Sequence, residues 1–248
     1  MLDGDVILDT PDGPMDLYEA KPDGGATRAV IVIQEAFGVN DHIRDVTRRF
    51  AAEGYHAVAP SLFHRAGGGT APYDDFDKVI PLFKGLTDEG ILVDVDAATL
   101  QLHEAGFAPE QIGIVGFCMG GRVTFLVAAR RRLSAAVGFY GGGIASQGFR
   151  GSFPALIGET AGLQTPWLGL FGDLDAGIPI DDVERLRATL DELAPVAHEI
   201  VRYPDAGHGF HCDQRDADLE PPAIGAYHEP SALDAWRRTL DWLARHVG

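Results

Sequence analysis

The sequence predicts one α/β domain over residues 1–248, with a doubly wound, mostly parallel sheet, helices on both faces and an N-terminal antiparallel hairpin. Three observations predict this fold class. Short apolar runs without polar alternation, of which the β-branched run at residues 28–36 is the clearest, are typical of strands that are covered on both faces. These runs alternate with segments whose apolar residues recur at helical spacing. The length of 248 residues and the apolar content of 46% fit one large domain, and no linker or repeat interrupts the pattern.

The chain opens on the predicted hairpin. Apolar and polar residues alternate on both sides of a Pro-Asp-Gly turn at residues 11–13. A turn of this composition between alternating segments is typical of two antiparallel strands. The hairpin is therefore the exception to the parallel pattern that follows it.

Strands and helices alternate along the rest of the chain. Apolar stripes at helical spacing and cap residues such as Asn40 or Asp41 indicate the helices. The predicted strands are residues 28–36, 56–63, 111–117, 133–143, 165–175 and 198–210, and the predicted helices are residues 41–54, 88–106, 120–131, 180–194 and 231–247. Residues 65–76, rich in glycine and proline, form a loop of a length that is often functional.

The net charge of −17 and the isoelectric point near 4.7 exclude two classes of partner. Such an acidic surface repels nucleic acids and anionic lipids, so we expect neither nucleic acid nor a membrane to be bound. The acidic N-terminus does not resemble a signal peptide, and no apolar run approaches the ~20 residues that span a bilayer. Two cysteines, Cys118 and Cys212, indicate a reducing compartment, so we expect a cytoplasmic protein.

The stretch GFCMGG at residues 116–121 has the spacing of a nucleophile elbow, with Cys118 where serine is usual. It lies between a predicted strand and a predicted helix, where Gly116 and Gly120 leave room for a strained turn. The N-terminus of the following helix favours a thiolate. The alternative interpretation is a small core cysteine beside glycines that pack a helix closely.

Two further polar side chains follow the ends of later strands. Asp175 ends the strand at 165–175, and His208 lies in the glycine-flanked stretch AGHGF. The carboxyl ends of the strands carry the active residues of a doubly wound sheet. The order of Cys118, Asp175 and His208 is the nucleophile, acid, histidine order of an α/β-hydrolase, which predicts a catalytic triad. Asp173 competes for the acid role, and we favour Asp175 because it lies closer to the next helix, although it could also merely cap that helix.

Four motifs together resemble the dienelactone hydrolase family, the carboxymethylenebutenolidases and their relatives. They are IVIQEAFGVN, GFCMGG, FGDLDAGIP and YPDAGHGF, and they occur in order over essentially the whole chain. The combination is specific because ordinary serine hydrolases lack both the elbow cysteine and the acid of Q-E-x-F-G, here Glu35. The resemblance implies an α/β-hydrolase fold and hydrolysis of a small-molecule ester or lactone, with dienelactone as one candidate.

The resemblance also implies a role for each motif residue. Cys118 is the nucleophile, His208 the base and Asp175 the residue that orients the imidazole. Glu35 pairs with the thiol in the resting enzyme until substrate displaces it. The acyl-thioester that forms on Cys118 is then hydrolysed by water that His208 activates.

The remaining predictions concern the surroundings of the nucleophile. The backbone N–H groups of Met119 and Ala36 are expected to form the oxyanion hole. The candidate substrate-binding residues are Tyr140, Phe37, Arg215 and Tyr73. The alternative for Tyr140 is a buried packing tyrosine, and the alternative for Arg215 is an ordinary surface arginine. The implied mechanism needs no metal and no organic cofactor, and we expect neither. A zinc site would need a further ligand besides His211 and Cys212 next to His208. We also expect a monomer or a weak homo-oligomer.

The sequence departs from the family pattern where a substrate carboxylate is bound. Cys212 stands at an expected arginine position, Arg215 is a candidate replacement, and the loop region offers Arg65 and Lys84. This departure leaves open a broad carboxylesterase that acts on substrates without a carboxylate. A non-catalytic protein that keeps the fold and a redox sensor that joins Cys118 to Cys212 are two competing hypotheses. The non-catalytic hypothesis is disfavoured because no triad residue is missing.

Overall fold

A computed structural model describes residues 1–148, 151, 153–214 and 225–248. Its strands follow the order β1-β2-β4-β3-β5-β6-β7-β8 in one mostly parallel sheet, which confirms the predicted fold class. The strands are β1 Leu2–Thr10, β2 Gly13–Lys21, β3 Arg28–Ile33, β4 Tyr55–Pro60, β5 Ile112–Phe117, β6 Ala135–Phe139, β7 Trp167–Gly172 and β8 His198–Tyr203. The helices are α1 Asp41–Ala52, α2 Val79–Leu82, α3 Asp88–Glu104, α4 Met119–Arg130, α5 Ile180–Leu193 and α6 Glu229–His246. Short 3-10 helices cover His64–Ala66, Phe76–Lys78, Pro109–Gln111 and Ile157–Gly162.

The chain divides into two compact units. The first comprises Met1–Ile114 and Val247–Gly248, and the second comprises Val115–His246. The assignment of residues 1–248 to a single domain stays a prediction. No helix within the described residues is both long enough and apolar enough to cross a lipid bilayer.

The first unit contains the predicted hairpin and the first parallel strand pair. Strands β1 and β2 are antiparallel, with Thr10 opposite Gly13 at the turn, and β2 is also antiparallel to β4. Strands β3 and β4 are parallel, and nearly all of their side chains are buried between α1 and α3 or other parts of the unit. Asn40 is the cap of α1, because its side-chain oxygen accepts the Ile43 N–H at 3.2 Å.

Strand β3 ends at Ile33 and not at residue 36, because the following residues turn back on themselves. An isolated bridge pairs Glu35 with Gly38, and Gly38 has a positive φ of +86°. A Cβ on Gly38 would lie 2.6 Å from the carbonyl oxygen of Gly69, so this position accepts only glycine. The turn places Glu35 in a tight loop after β3. It brings that loop against residues 65–76, which we call the glycine-rich loop.

Arg65, at the start of the glycine-rich loop, is held by two acids. Its guanidinium donates to both carboxylate oxygens of Asp94 at 2.7 and 2.9 Å. It also donates to Asp12 at 2.8 Å, and Asp94 lies 3.0 Å from the Nε2 atom of His64. Because the Asp94 side chain is completely buried, these contacts compensate the cost of burying its charge. Arg65 therefore links the loop to α3 through Asp94 and to the hairpin turn through Asp12.

The second unit contains the parallel strands β6, β7 and β8. Every residue of β6 and β7 is buried, and both strands pack against α4 and α6, while β8 packs against α5. Continuous burial agrees with the absence of polar alternation in these runs. The predicted strands at 133–143, 165–175 and 198–210 are longer than the observed ones, because their last residues form turns beyond the sheet. Those turns carry the polar side chains of the candidate site.

Candidate active site

Cys118 occupies a strained turn between β5 and α4. Its φ of 54° and ψ of −112° lie in a region that non-glycine residues rarely adopt. The turn depends on close backbone approaches, since a Cβ on Gly116 would collide with the carbonyl group of Gly120. The Cys118 N–H donates to the Phe139 carbonyl at 3.0 Å, which attaches the turn to the end of β6. This is the geometry of a nucleophile elbow.

Cys118, His208 and Asp175 form one hydrogen-bonded chain. The Nε2 atom of His208 lies 3.0 Å from Cys118 Sγ, and Nδ1 lies 2.7 Å from Asp175 Oδ2. The Asp175 side chain is only 2% exposed, and its other oxygen accepts the Gly177 N–H at 2.8 Å. The carboxylate therefore fixes the imidazole so that Nδ1 carries a proton and Nε2 faces the sulfur. The turns after β7 and β8 and the elbow bring these three residues together.

Burial and charge act in opposite directions on His208. Burial by itself lowers the pKa of the imidazole, whereas the Cys118 thiolate and the Asp175 carboxylate raise it. The charges outweigh burial, so the pKa of His208 lies well above its usual value of about 6.5. A protonated imidazole in contact with the sulfur stabilises a thiolate, which is the nucleophilic form of cysteine.

Asp173, the competing acid, has a different partner. Both of its carboxylate oxygens accept hydrogen bonds from Arg202, each at 2.7 Å, and Arg202 also donates to Glu184 at 2.7 Å. This bidentate ion pair lies at the ends of β7 and β8 and occupies both oxygens of Asp173. Of the two neighbouring acids, Asp175 is the one that contacts His208, and its role as the catalytic acid stays a prediction.

Tyr140 packs against the imidazole and is fully buried. Its ring centroid lies 5.2 Å from that of His208 and 5.3 Å from that of Phe210. Its φ of 38° is unusual for a tyrosine, and its N–H donates to the Leu170 carbonyl at 2.7 Å. The structure thus describes Tyr140 as a packing partner of His208, and its contact with substrate stays a prediction.

His211 and Cys212, which follow His208 by three and four positions, are both buried. The ring of His211 lies 5.1 Å from that of Phe139 and 5.8 Å from that of Trp236, where it is nearly parallel to the indole. Cys118 and Cys212 are both free thiols. Arg215 lies outside the described residues.

The other candidates belong to the first unit. Glu35 is 3% exposed, and its Oε2 atom accepts a hydrogen bond from the Tyr73 hydroxyl at 2.9 Å. Phe37 is also buried, and its ring centroid lies 4.5 Å from that of Tyr73. Ala36, which lies between Glu35 and Phe37 in the sequence, is buried as well, whereas Lys84 is exposed. The roles of these residues, and that of the Met119 N–H, stay predictions.

Sequence reasoning missed two contributors to the geometry around His208, the Gly177 N–H and the Phe210 ring. The Gly177 N–H holds Asp175, and its position two residues after an aspartate is the spacing of an Asx turn, a signal that the sequence contains. The packing of Phe210 and Tyr140 around the imidazole has no comparable local signal, because it joins the ends of two different strands.

Comparisons with known proteins agree with the resemblance. The model of the dienelactone hydrolase family matches residues 15–247. A protein of Salmonella typhimurium named "Putative carboxymethylenebutenolidase" is 40% identical over 98% of this chain and 92% of its own length. A protein of the same name from Yersinia pestis is 36% identical over 98% of this chain and 88% of its own length.

Solved structures give the same result. The crystal structure of a putative dienelactone hydrolase from Klebsiella pneumoniae is 38% identical, covers 99% of both chains and superposes with a TM-score of 0.85. The dienelactone hydrolase-like promiscuous phosphotriesterase P91 from metagenomic libraries has a TM-score of 0.78 at 21% identity, over the full length of both chains. At that identity the likeness concerns the fold alone.

Proposed function

Because this chain belongs to the dienelactone hydrolase family and is a carboxylic ester hydrolase of that kind, we propose that it cleaves its ester or lactone through a cysteinyl acyl-enzyme. The observation that carries the proposal is the 3.0 Å contact between His208 Nε2 and Cys118 Sγ, continued by the 2.7 Å contact of Nδ1 with Asp175. A thiol paired with an oriented histidine is the arrangement of an activated cysteine nucleophile.

The first half of the proposed reaction forms a thioester. The thiolate of Cys118 attacks the carbonyl carbon, and the carbonyl π electrons move onto its oxygen. The Met119 N–H is suited to stabilise this oxyanion, since the first residue of α4 has no intrahelical acceptor for its N–H. The C–O bond then breaks, and the leaving oxygen takes a proton from the His208 imidazolium. In a lactone, that oxygen stays attached to the acyl chain.

The second half releases the acid. Neutral His208 removes a proton from water, which attacks the thioester carbonyl, and the C–S bond breaks to return the electron pair to sulfur. Asp175 stabilises the imidazolium that gives up its proton in the first half-reaction and forms again in the second. The products are a carboxylic acid and an alcohol group, and the thiolate–imidazolium pair is restored.

Glu35 is assigned as a fourth participating side chain on the basis of the family resemblance. The burial of Glu35 supports the assignment. Burying a carboxylate that is only 3% exposed costs free energy, and such a cost is expected where the charge is paired or takes part in the reaction. A carboxylate that pairs with the sulfur before substrate arrives lowers the fraction of thiolate in the cysteine–histidine pair, and this protects the sulfur from oxidation. Glu35→Gln is therefore expected to slow acylation or to speed oxidation of the thiol.

Trapping of the acyl-enzyme tests the proposal. Acid quenching during turnover of p-nitrophenyl acetate is expected to leave one acetyl group on the peptide that contains Cys118, because the thioester is stable in acid. Neutral hydroxylamine should remove the label, as it does from thioesters. Peptide mass spectrometry reads both results. A label on another residue contradicts a cysteinyl acyl-enzyme.

A second candidate function is hydrolysis of esters that carry no carboxylate. The ionic contacts of Arg65 favour it, because both carboxylate oxygens of Asp94 and one of Asp12 already bind this guanidinium. We expect kcat/KM for p-nitrophenyl acetate to exceed that for a lactone of similar reactivity that bears a carboxylate. A preference for the anionic lactone that disappears in Arg215→Gln would contradict this candidate and identify the cation.

A further inference from the structure

We propose that Tyr73 is a positioning residue that fixes the carboxylate of Glu35, and does not act chiefly as a substrate-binding group. This inference rests on the proposed function, since it takes Glu35 to participate in the reaction. In this proposal, the hydrogen-bond partner of the Tyr73 hydroxyl is the carboxylate of Glu35 and not a group of the substrate. All of the contacts that carry the inference lie within the first unit.

The primary contact is the hydrogen bond between the two side chains. The Tyr73 hydroxyl donates to Glu35 Oε2 at 2.9 Å. A hydrogen bond to a charged acceptor is stronger than one between neutral groups. Because one carboxylate oxygen is held, rotation about the last side-chain bond of Glu35 is restricted and Oε1 keeps a defined direction.

The backbone and the ring of Tyr73 are also held in place. The two rings of Phe37 and Tyr73 are in contact, with centroids 4.5 Å apart and planes inclined by 59°. The Ala71 N–H donates to the Phe37 carbonyl at 3.1 Å, and Gly38 lies so close to Gly69 that no Cβ fits between them. Three separate contacts thus join the loop after β3 to the glycine-rich loop. The Tyr73 hydroxyl therefore reaches Glu35 from a loop that contacts the loop after β3 at three further points.

This arrangement explains why the two loops carry these residue types. A phenol ring provides both the apolar face that packs on Phe37 and the hydroxyl that reaches the carboxylate. Phenylalanine at position 73 would keep the packing and remove only the hydrogen bond. Tyr73→Phe is accordingly a selective test of positioning.

The test is a double-mutant cycle with Tyr73→Phe, Glu35→Gln and the combined variant. Tyr73→Phe is expected to change kcat/KM for p-nitrophenyl acetate, or the rate of inactivation by peroxide, by about tenfold, in the same direction as Glu35→Gln. In the Glu35→Gln background, the same tyrosine change should have less than about a twofold effect, because the partner that it positions is already altered. Additive effects would overturn the proposal, and so would an unchanged Tyr73→Phe enzyme.

Tyr18→Phe is the matched control. Tyr18 also lies in the first unit and also donates its hydroxyl to a carboxylate, that of Asp3, but it makes no such bond to Glu35. Tyr18→Phe should leave kcat/KM unchanged and lower only the thermal stability. A loss of activity in Cys118→Ala refers to the proposed function alone, so failure of the cycle in an enzyme that still depends on Cys118 overturns only the role of Tyr73.

Discussion

Replacing Cys118 with alanine is expected to lower kcat/KM for an activated ester by at least about 10⁴-fold, because loss of the nucleophile leaves only binding and oxyanion stabilisation. Cys118→Ser should retain the fold and a small residual rate. A serine hydroxyl is far less ionised than a cysteine thiol. A His208 imidazole that is protonated beside a thiolate also cannot accept the proton of a serine hydroxyl. Steady-state kinetics on p-nitrophenyl acetate measure both variants.

Cys212→Ala is the matched control for this prediction. Cys212 is the other free cysteine and is completely buried, and it takes no part in the hydrogen bonds that join Cys118, His208 and Asp175. We expect its kcat/KM to remain within about threefold of the wild-type value, with a loss of about 1 kcal/mol in the free energy of unfolding. An active Cys118→Ala enzyme would refute the cysteine mechanism. Loss of activity in Cys212→Ala, with the fold intact, would instead indicate a role for the second thiol and revive the redox hypothesis.

Replacing Asp175 with asparagine is expected to lower kcat by about 10²- to 10⁴-fold, because an amide does not stabilise the imidazolium and favours the wrong tautomer. Asp173→Asn is the matched control, two residues away. It breaks the bidentate ion pair with Arg202, which is partly exposed to solvent, so it should cost no more than about 1 kcal/mol of stability and little activity. The reverse order of effects would assign the acid role to Asp173.

The same pair of variants tests the electrostatics of His208. Its pKa in the folded protein is raised above the unfolded value of about 6.5, because the charges of Cys118 and Asp175 outweigh burial. The stabilisation from this group is therefore fully present below about pH 6.5 and is lost as the pH rises through the raised pKa. Asp175→Asn should lower the His208 pKa, as an NMR titration of the imidazole will show, and Asp173→Asn should leave it in place. An unchanged His208 pKa in Asp175→Asn would contradict the assigned cause.

Much of the fold was predictable because its signals are local. The turn at residues 11–13 predicted the hairpin, and unbroken apolar runs predicted strands whose residues in β6 and β7 are all buried. Strand ends were less predictable, because apolar residues continue past the last hydrogen-bonded pair. Tyr140, for example, continues the apolar run of β6 but adopts a positive φ that ends the strand.

The sequence by itself determined the family, the fold class and the candidate nucleophile, since each is expressed in short motifs such as GFCMGG and in their order along the chain. Tertiary structure decided which acid meets His208 and which charges are already neutralised. Asp173 and Asp175 differ by only two positions, yet one binds Arg202 and the other binds His208. The guanidinium of Arg65 likewise forms an ion pair with Asp94, 29 positions away. Such choices depend on how turns from different strands meet in space, and a side chain's partner at that distance leaves no local pattern in the sequence.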